Sequence, residues 1–446
     1  MKKIFQHIIL LTVTLAPISL LAQMGEPYEM KINGVKVIVQ PSGNEIIEIK
    51  TIIRGGVQNY PAAKAGIESL AITALTECGT MKDDKNSFKD KLDKYSANMG
   101  GNTEMDYATF GMNCIKNDFD QVWHLYTDAM TIPKFDAKEF ERIRQDAVTA
   151  LRANKSNPDF AIRRMAHELA FAGKNYAKNP QGTIEIVSKL TPEETKKYYE
   201  TIFNRNRLLI VVVGEVDKND LKQKVESFLG KVPAGQPFVA KKETYMPPSN
   251  TMKSEQKEFA TNYIQGITGA PQPGSPDYDA FVLAMRIFQN RHFLDIRSKN
   301  GLSYAPQVWF SGGLTPYASI YVTTTEPNKY IVVARQLIEK IKKEGFTEDE
   351  LKNTKTVYVT RTYYQMETNI AHAASLAWNE VINGDWRRTY TIKDDMKKVT
   401  LSDLNRVFNK YVNNITWAYQ GDPKKVEAKM YTQKELPEMP KEVKTF

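Results

Sequence analysis

Five histidines, at positions 7, 124, 167, 292 and 372, are the chain's whole supply of imidazole. Histidine is the side chain best suited to bind zinc or move protons near neutral pH, so their spacing decides which chemistries are open. Two metal-binding histidines on one helix must stand three or four residues apart to share a face, and no two of these do. His167-Glu168 opens an H-E-x-x-H pattern, but its fifth position is Phe171. The two cysteines, Cys78 and Cys114, cannot build a four-thiolate zinc site or a disulfide scaffold. They could pair once in an oxidising compartment, which spacing alone leaves open. Chemical promise remains in Asp295-Ile296-Arg297-Ser298-Lys299-Asn300-Gly301-Leu302-Ser303-Tyr304. There Arg297 and Tyr304 offer a guanidinium and a phenol, donors of the kind that steady developing negative charge. The plain alternative is a surface ion pair for Arg297 and strand packing for Tyr304.

A chain of 446 residues, 41% hydrophobic and 25% charged, has apolar material for two or three cores. That excludes collagen-like, coiled-coil and wholly disordered proteins. The formal charge of +9 is spread among acidic residues, as in Lys340 to Glu350, without a basic stripe interleaved with aromatics. Nucleic acid is therefore not the expected partner. The N-terminus reads Met1-Lys2-Lys3, an apolar run from Ile8 to Leu21 interrupted by Pro17, then Ala22-Gln23. This is the pattern of a secretory signal peptide, residues 1–22, cleaved near Ala22. The expected destination is a bacterial periplasm. No later stretch is long and apolar enough to span a membrane, so the mature chain should carry no span.

The elements that must position these residues are written twice, about 210 residues apart. Leu190-Thr191 leads a helical run through Tyr199, Phe203 and Asn204; Val399-Thr400 leads another through Phe408, Val412 and Asn413 at the same offsets. Each copy then has a strand ending in glycine, Leu208 to Gly214 and Ile415 to Gly421. Upstream, Phe135, Glu139 and Arg144 are echoed by Phe346, Glu350 and Lys355. Between the copies, Val232 to Asn250 carries four prolines and reads as a linker. Leu208 to Val213 reads as a buried strand, and Ser319 to Thr325 alternates like a half-exposed one. The expected fold is α+β: two duplicated domains, each a mixed sheet plus helices, over 23–232 and 251–423. A linker at 233–250 joins them, and a charged, loosely ordered tail follows from 424 to 446.

This arrangement resembles the insulinase/pitrilysin-type zinc metallopeptidase family, in its mitochondrial-processing-peptidase-like branch. The resemblance runs from about Gly34 to Gly421. It rests on Asn33-Gly34-Val35-Lys36-Val37, Gly66-Ile67 through Cys78-Gly79-Thr80, Tyr176 through Gly182-Thr183, and Leu190-Thr191 to Val213-Gly214. In the second half it rests on Arg297 through Gly301-Leu302-Ser303-Tyr304 and on Phe346-Thr347-Glu348-Asp349-Glu350-Leu351. The family's active pattern is His-x-x-Glu-His on the helix that follows Gly66, with a further glutamate from a downstream helix. Two imidazoles bind zinc on one helical face while the carboxylate activates its water. Here those positions hold Ser69, Ile72 and Thr73, with Ala150 at or near the third ligand. The segment is one residue longer than the usual pattern, yet no slip of register restores the site, because no histidine lies between His7 and His124. The helix keeps a core stripe of Ile67, Leu70, Ala71, Ala74 and Leu75, with Ser69, Ile72, Thr73 and Thr76 turned elsewhere. The glycine-rich turn of many relatives is replaced by Ile287-Phe288-Gln289-Asn290-Arg291.

The resemblance implies a chain without a metal or cofactor of its own and inactive alone. In some relatives one chain carries the zinc motif and another the arginine–tyrosine pair, both reaching one centre. The implied function is a non-catalytic subunit of a periplasmic two-chain zinc metallopeptidase. A homologous partner in a heterodimer or larger assembly would hold zinc, and Arg297 and Tyr304 would bind peptide substrate in trans. The alternative, from a different class, is an exported peptide-binding or scaffold protein with no hydrolytic role.

Overall fold

The computed structural model describes residues 25–364 and 366–439, so the proposed signal segment lies outside the described residues. The first sheet holds β1 (Tyr28–Ile32), β2 (Val35–Gln40), β3 (Ile46–Arg54), β4 (Asn98–Thr103), β5 (Tyr107–Ile115) and β6 (Leu208–Val213). Its order is β1-β2-β6-β3-β5-β4, with β2 and β6 parallel and the other pairs antiparallel. Asn33 and Gly34, both at positive φ, close the β1–β2 hairpin, the geometry a two-residue turn needs to match strand twist. The second sheet holds β7 (Thr251–Gln256), β8 (Asn262–Gly269), β9 (Gln307–Ser311), β10 (Tyr317–Thr324) and β11 (Thr416–Gly421). Its order, β7-β11-β8-β10-β9 with β7 and β11 parallel, repeats β2-β6-β3-β5-β4 strand for strand.

The helices of the first half are α1 (Ile67–Glu77), α2 (Lys85–Lys94), α3 (Phe119–Thr131), α4 (Ala137–Ser156), α5 (Pro158–Ala170), α6 (Ile184–Val187), α7 (Pro192–Ile202) and α8 (Lys218–Gly230). Those of the second are α9 (Tyr278–Phe293), α10 (Pro327–Glu344), α11 (Glu348–Tyr364), α12 (Asn369–Trp378), α13 (Arg388–Lys398), α14 (Leu401–Tyr411) and α15 (Ala428–Thr432). The duplication reaches single hydrogen bonds. Thr191 and Thr400 cap α7 and α14 by accepting from the backbone N–H three residues on, each at 3.2 Å. The carbonyls just before these caps, Leu190 and Val399, accept from Arg144 at 3.2 Å and Lys355 at 2.6 Å. The echoed basic residues thus do the same work in both copies.

The two halves exchange helices. Pro158 cannot continue α4, and Asn157, held extended before it, caps α5 by accepting from Asp159 N–H at 2.9 Å. So redirected, α5 leaves its own sheet and packs on β8 and β11 of the other. The first core continues through Ile162, Met165 and Ala166 into Ile267, Tyr317, Tyr321 and Ala418. Reciprocally, α12 lays Ala373, Leu376 and Ala377 on Ile38, Ile52, Leu209, Val211 and Val213 of the first sheet. Covered on both faces, β6 is buried throughout, as its unbroken apolar run implied. The same exchange overturns one expectation. β10 is not half-exposed: seven of its eight residues are buried, because α5 covers the face that its own domain leaves open.

Polar ties cross the same interface. Glu380 lies 2.7 Å from Lys36 and 3.7 Å from Arg54, and Leu314 N–H donates to Asp106 at 3.0 Å. The connector is docked too, since Glu243 N–H donates to the Leu314 carbonyl at 3.0 Å and Tyr245 is buried. The segment read as a loose tail begins instead with packed structure. In α15, Met430 and Tyr431 are buried, and the Tyr431 ring meets Trp417 edge-on. The lysine-rich composition around these two residues masked the anchors. Among the described residues no helix is long and apolar enough to cross a membrane.

If the exchanged helices hold the halves together, Leu376→Ala should lower stability by about 2–5 kcal/mol, as for other fully buried leucines. A urea midpoint equal to that of the unaltered chain would contradict this.

Candidate functional site

Gly66 ends the loop before α1 at φ 96°, and a Cβ there would stand 2.7 Å from Val187 and 2.9 Å from the Gln181 carbonyl. Only glycine lets the helix start so close to that loop. From there α1 runs over β4 and packs against α4 and α7. Ser69 and Thr73 lie half-buried on α1, and Ala150 is exposed on α4. Ile72 departs from expectation: it is 1% exposed, in the core rather than turned away from it. The reason is β4, whose Gly101 has no side chain. A Cβ there would come within 2.5 Å of Ile72 Cγ2, so the bare strand admits the branched side chain beneath it.

These residues do not fit a zinc ion. Two hydroxyls and two alkyl groups supply neither imidazole nor carboxylate, and Ile72 cannot act as a base. Among the described residues no three His, Cys, Asp or Glu side chains are grouped to hold a metal. Three histidines are accounted for otherwise. Nε2 of His167, His292 and His372 meets the hydroxyls of Tyr317, Tyr330 and Tyr390 at 2.9, 3.2 and 2.9 Å. Burial pushes their pKa values down to about 4, 3 and 4, so all three are neutral at physiological pH. Cys78 and Cys114 are free and buried, and burial pushes both thiols up to about 12. They are protonated and unreactive.

An ionisable group that the sequence reading passed over sits beside Ser69. Glu68, 1% exposed in the first turn of α1, accepts from the Tyr198 hydroxyl and from Asn59 Nδ2 at 3.0 Å. Its Oε1 has no partner. Burial pushes its pKa up to about 7, against the pull of those two bonds and of Arg207. Arg207 reaches the same cluster by donating to Asn59 Oδ1 at 2.5 Å. A glutamate among Gly66, Ile67 and Leu70 was the available signal, but helix periodicity alone assigns an early glutamate to solvent or to the helix dipole.

Arg297 and Tyr304 belong to the other half. After α9 the chain continues in a π-helical turn, Leu294–Lys299, and Gly301 at φ +62° reverses it. The Leu302 N–H closes the turn on the Ile296 carbonyl at 2.9 Å. This brings the two side chains together: the Arg297 guanidinium carbon lies 4.0 Å from the centre of the Tyr304 ring and 5.2 Å from that of Phe293. Tyr304 is 78% exposed, so it does not pack in a strand. Arg297 makes no ion pair among the described residues. The pair is a half-buried guanidinium stacked on an exposed phenol, joined by no hydrogen bond or ion pair to Ser69, Thr73 or Ala150. Ile287 to Arg291, where relatives have a glycine-rich turn, is continuous helix, with Arg291 tied to Glu350 at 2.6 Å.

Residues 66–183 match the family model described as insulinase (peptidase family M16), and residues 189–358 match the peptidase M16 inactive domain. The non-peptidase homolog YmxG of Helicobacter pylori is 21% identical over 413 residues, covering 89% of this chain and 94% of that one. A solved peptidase M16 inactive domain from Pseudomonas fluorescens shares the fold with a TM-score of 0.81 at 17% identity, over 89% of this chain and 98% of that chain. The periplasmic protease PqqL of Escherichia coli shares it with a TM-score of 0.77 at 15% identity, over 94% of this chain and 49% of that chain.

Two measurements check this account. Elemental analysis of the dialysed chain, purified without a partner, should find far less than one zinc per chain; a stoichiometric zinc would contradict it. Folded Glu68 keeps its proton up to about pH 7, whereas the unfolded chain releases it near the ordinary value of 4.5. Its contribution to stability is therefore full below pH 4.5 and lost as pH rises to about 7. Glu68→Gln should flatten the fall in urea midpoint across that window, and a fall as steep as in the unaltered chain would refute the assignment.

Proposed function

The chain belongs to the insulinase family of peptidases, peptidase family M16, and from that premise we propose that it is the non-catalytic subunit of an exported two-chain zinc metallopeptidase. The observation that carries the reading is the division between its halves. The first keeps the helix α1 and its packing but has Ser69, Ile72, Thr73 and Ala150 where the ligands and base would stand. The second keeps Arg297 and Tyr304 stacked together, the phenol open to solvent and the guanidinium half-buried. A homologous partner holds zinc, the general base and the third ligand. This chain contributes the guanidinium and phenol, which bind the peptide backbone and donate to the oxyanion as it forms. Arg297 suits that work because its guanidinium is a planar fork of donors and the Tyr304 face lies 4.0 Å from its carbon, holding its orientation. Secretion through the N-terminal segment places the assembly in the periplasm.

A second reading is favoured by the relative named a non-peptidase homolog: an exported peptide-binding or scaffold protein that never meets a zinc-bearing partner. The two readings part on one experiment. In a complex reconstituted with the zinc-bearing chain, Arg297→Ala should lower kcat/KM for a peptide by about 100-fold, the scale of losing one oxyanion donor. Co-elution of the two chains on size exclusion should be unchanged. Unaltered turnover by the variant complex would remove the proposed role.

A further inference from the structure

The two sheets repeat each other with one exception: β1 has no counterpart. In the first half it lies antiparallel along the outer edge of β2, from Tyr28 opposite Val39 to Ile32 opposite Val35. In the second sheet β7 takes the place of β2 and is the terminal strand. Its inner edge is joined to β11, with Thr251 N–H donating to the Ile415 carbonyl at 3.2 Å and Lys257 N–H donating to the Gly421 carbonyl at 3.0 Å. Along a strand the backbone groups of alternate residues face the same side. Thr251, Lys253 and Glu255 therefore face β11, while Met252, Ser254 and Gln256 turn their N–H and carbonyl groups outward. No hydrogen bond among the described residues meets those outward groups. Met252 is half-buried, and the other residues of β7 are exposed.

An unpaired edge is a template for another strand, and lysines on an edge ordinarily discourage that pairing. Here the order Thr251-Met252-Lys253-Ser254-Glu255-Gln256 reverses the effect, because Lys253 and Glu255 flank Ser254 symmetrically. Let two copies of β7 lie antiparallel across a two-fold axis at Ser254. Ser254 then faces Ser254, Met252 faces Gln256, and every outward N–H and carbonyl of both strands finds a partner. Lys253 of each copy stands directly opposite Glu255 of the other, at the non-hydrogen-bonded positions where side chains approach most closely. Sliding one strand by two residues would set Lys253 against Lys253 or Glu255 against Glu255. A slip of one residue would face outward groups with inward ones. Charge and hydrogen bonding thus select the same single register. Lys253 makes no ion pair among the described residues. Glu255 is held by Lys257 at 2.9 Å and Gln420 at 2.6 Å, and its carboxylate has lone pairs for a further donor.

We propose that two copies of this chain join through β7, antiparallel and centred on Ser254, so that their second sheets form one continuous sheet. Each copy's β7 occupies the position that β1 holds in the first half. The contact is isologous and closes on itself, which limits it to a pair. It uses neither Arg297 nor Tyr304, so it stands whether or not the chain serves a zinc-bearing partner.

Sedimentation equilibrium of the purified chain over a range of concentrations tests it. The chain should dimerise with a Kd of about 1–100 µM, as suits a small interface. Ser254→Pro removes the central outward N–H, a change that an edge strand tolerates, and should weaken the dimer at least about tenfold. Lys253→Glu and Glu255→Lys, each alone, set like charges opposite and should each weaken it about tenfold. An equimolar mixture of these two charge variants restores opposite charges at both positions and should dimerise within about threefold of the unaltered chain. A chain that stays monomeric up to about 500 µM would overturn the proposal, whether residues 440–446 or an unlike protein then covers the edge. So would a dimer that Ser254→Pro leaves intact, or a mixture that associates no better than either charge variant alone.

Discussion

The reciprocal placement of α5 and α12 is the constraint on which the rest of the structure depends. A mixed sheet of five or six strands with apolar residues on both faces must be covered on both. Each half has helices for one face only and borrows the cover for the other. That is why β6 and β10 are buried almost end to end, and why the cores cross the boundary between halves. It also explains the turn at Asn157-Pro158, where one helical path is cut so that the next can leave its own sheet.

Within that frame α1 persists for packing reasons. Its apolar side chains, the tight start at Gly66 and the insertion of Ile72 over Gly101 hold it in place. A zinc peptidase must spend that helix face on ligands; here Ile72 shows part of it given over to packing. The buried carboxyl of Glu68, beside Ser69, is held by the Tyr198 hydroxyl and Asn59 with the Arg207 charge nearby. The second half is different in kind. Tyr304 is exposed and Arg297 half-buried, the two stacked and in no ion pair among the described residues, which is the condition of side chains kept for a partner or a ligand.

Much of this was legible in the sequence, for identifiable reasons. The duplication showed because packing and capping in both copies need the same residue types at the same offsets, down to Arg144 and Lys355 serving the carbonyls of Leu190 and Val399. The poor fit of Ser69, Ile72, Thr73 and Ala150 to zinc follows from residue type alone, since imidazole has no substitute and the histidines are too few and too far apart. What could not be read locally came from distant parts of the chain. The burial of β10 is set by α5, more than 140 residues earlier in sequence. The inward turn of Ile72 is set by a glycine on β4. The packing of Met430 and Tyr431 depends on Trp417 and was hidden by the lysines around them. Glu68 was missed because helix periodicity places polar residues outward by default, whereas Tyr198 and Asn59 reach it from other segments.

The central claim is that a chain without zinc ligands does its work beside one that has them. The most direct measurement is to isolate the native protein under mild conditions and identify by mass spectrometry what accompanies it. The account predicts a chain of similar size in roughly equal amount, carrying His-x-x-Glu-His on the counterpart of α1. Recovery of the protein alone, or only with chains that lack that motif, would contradict it.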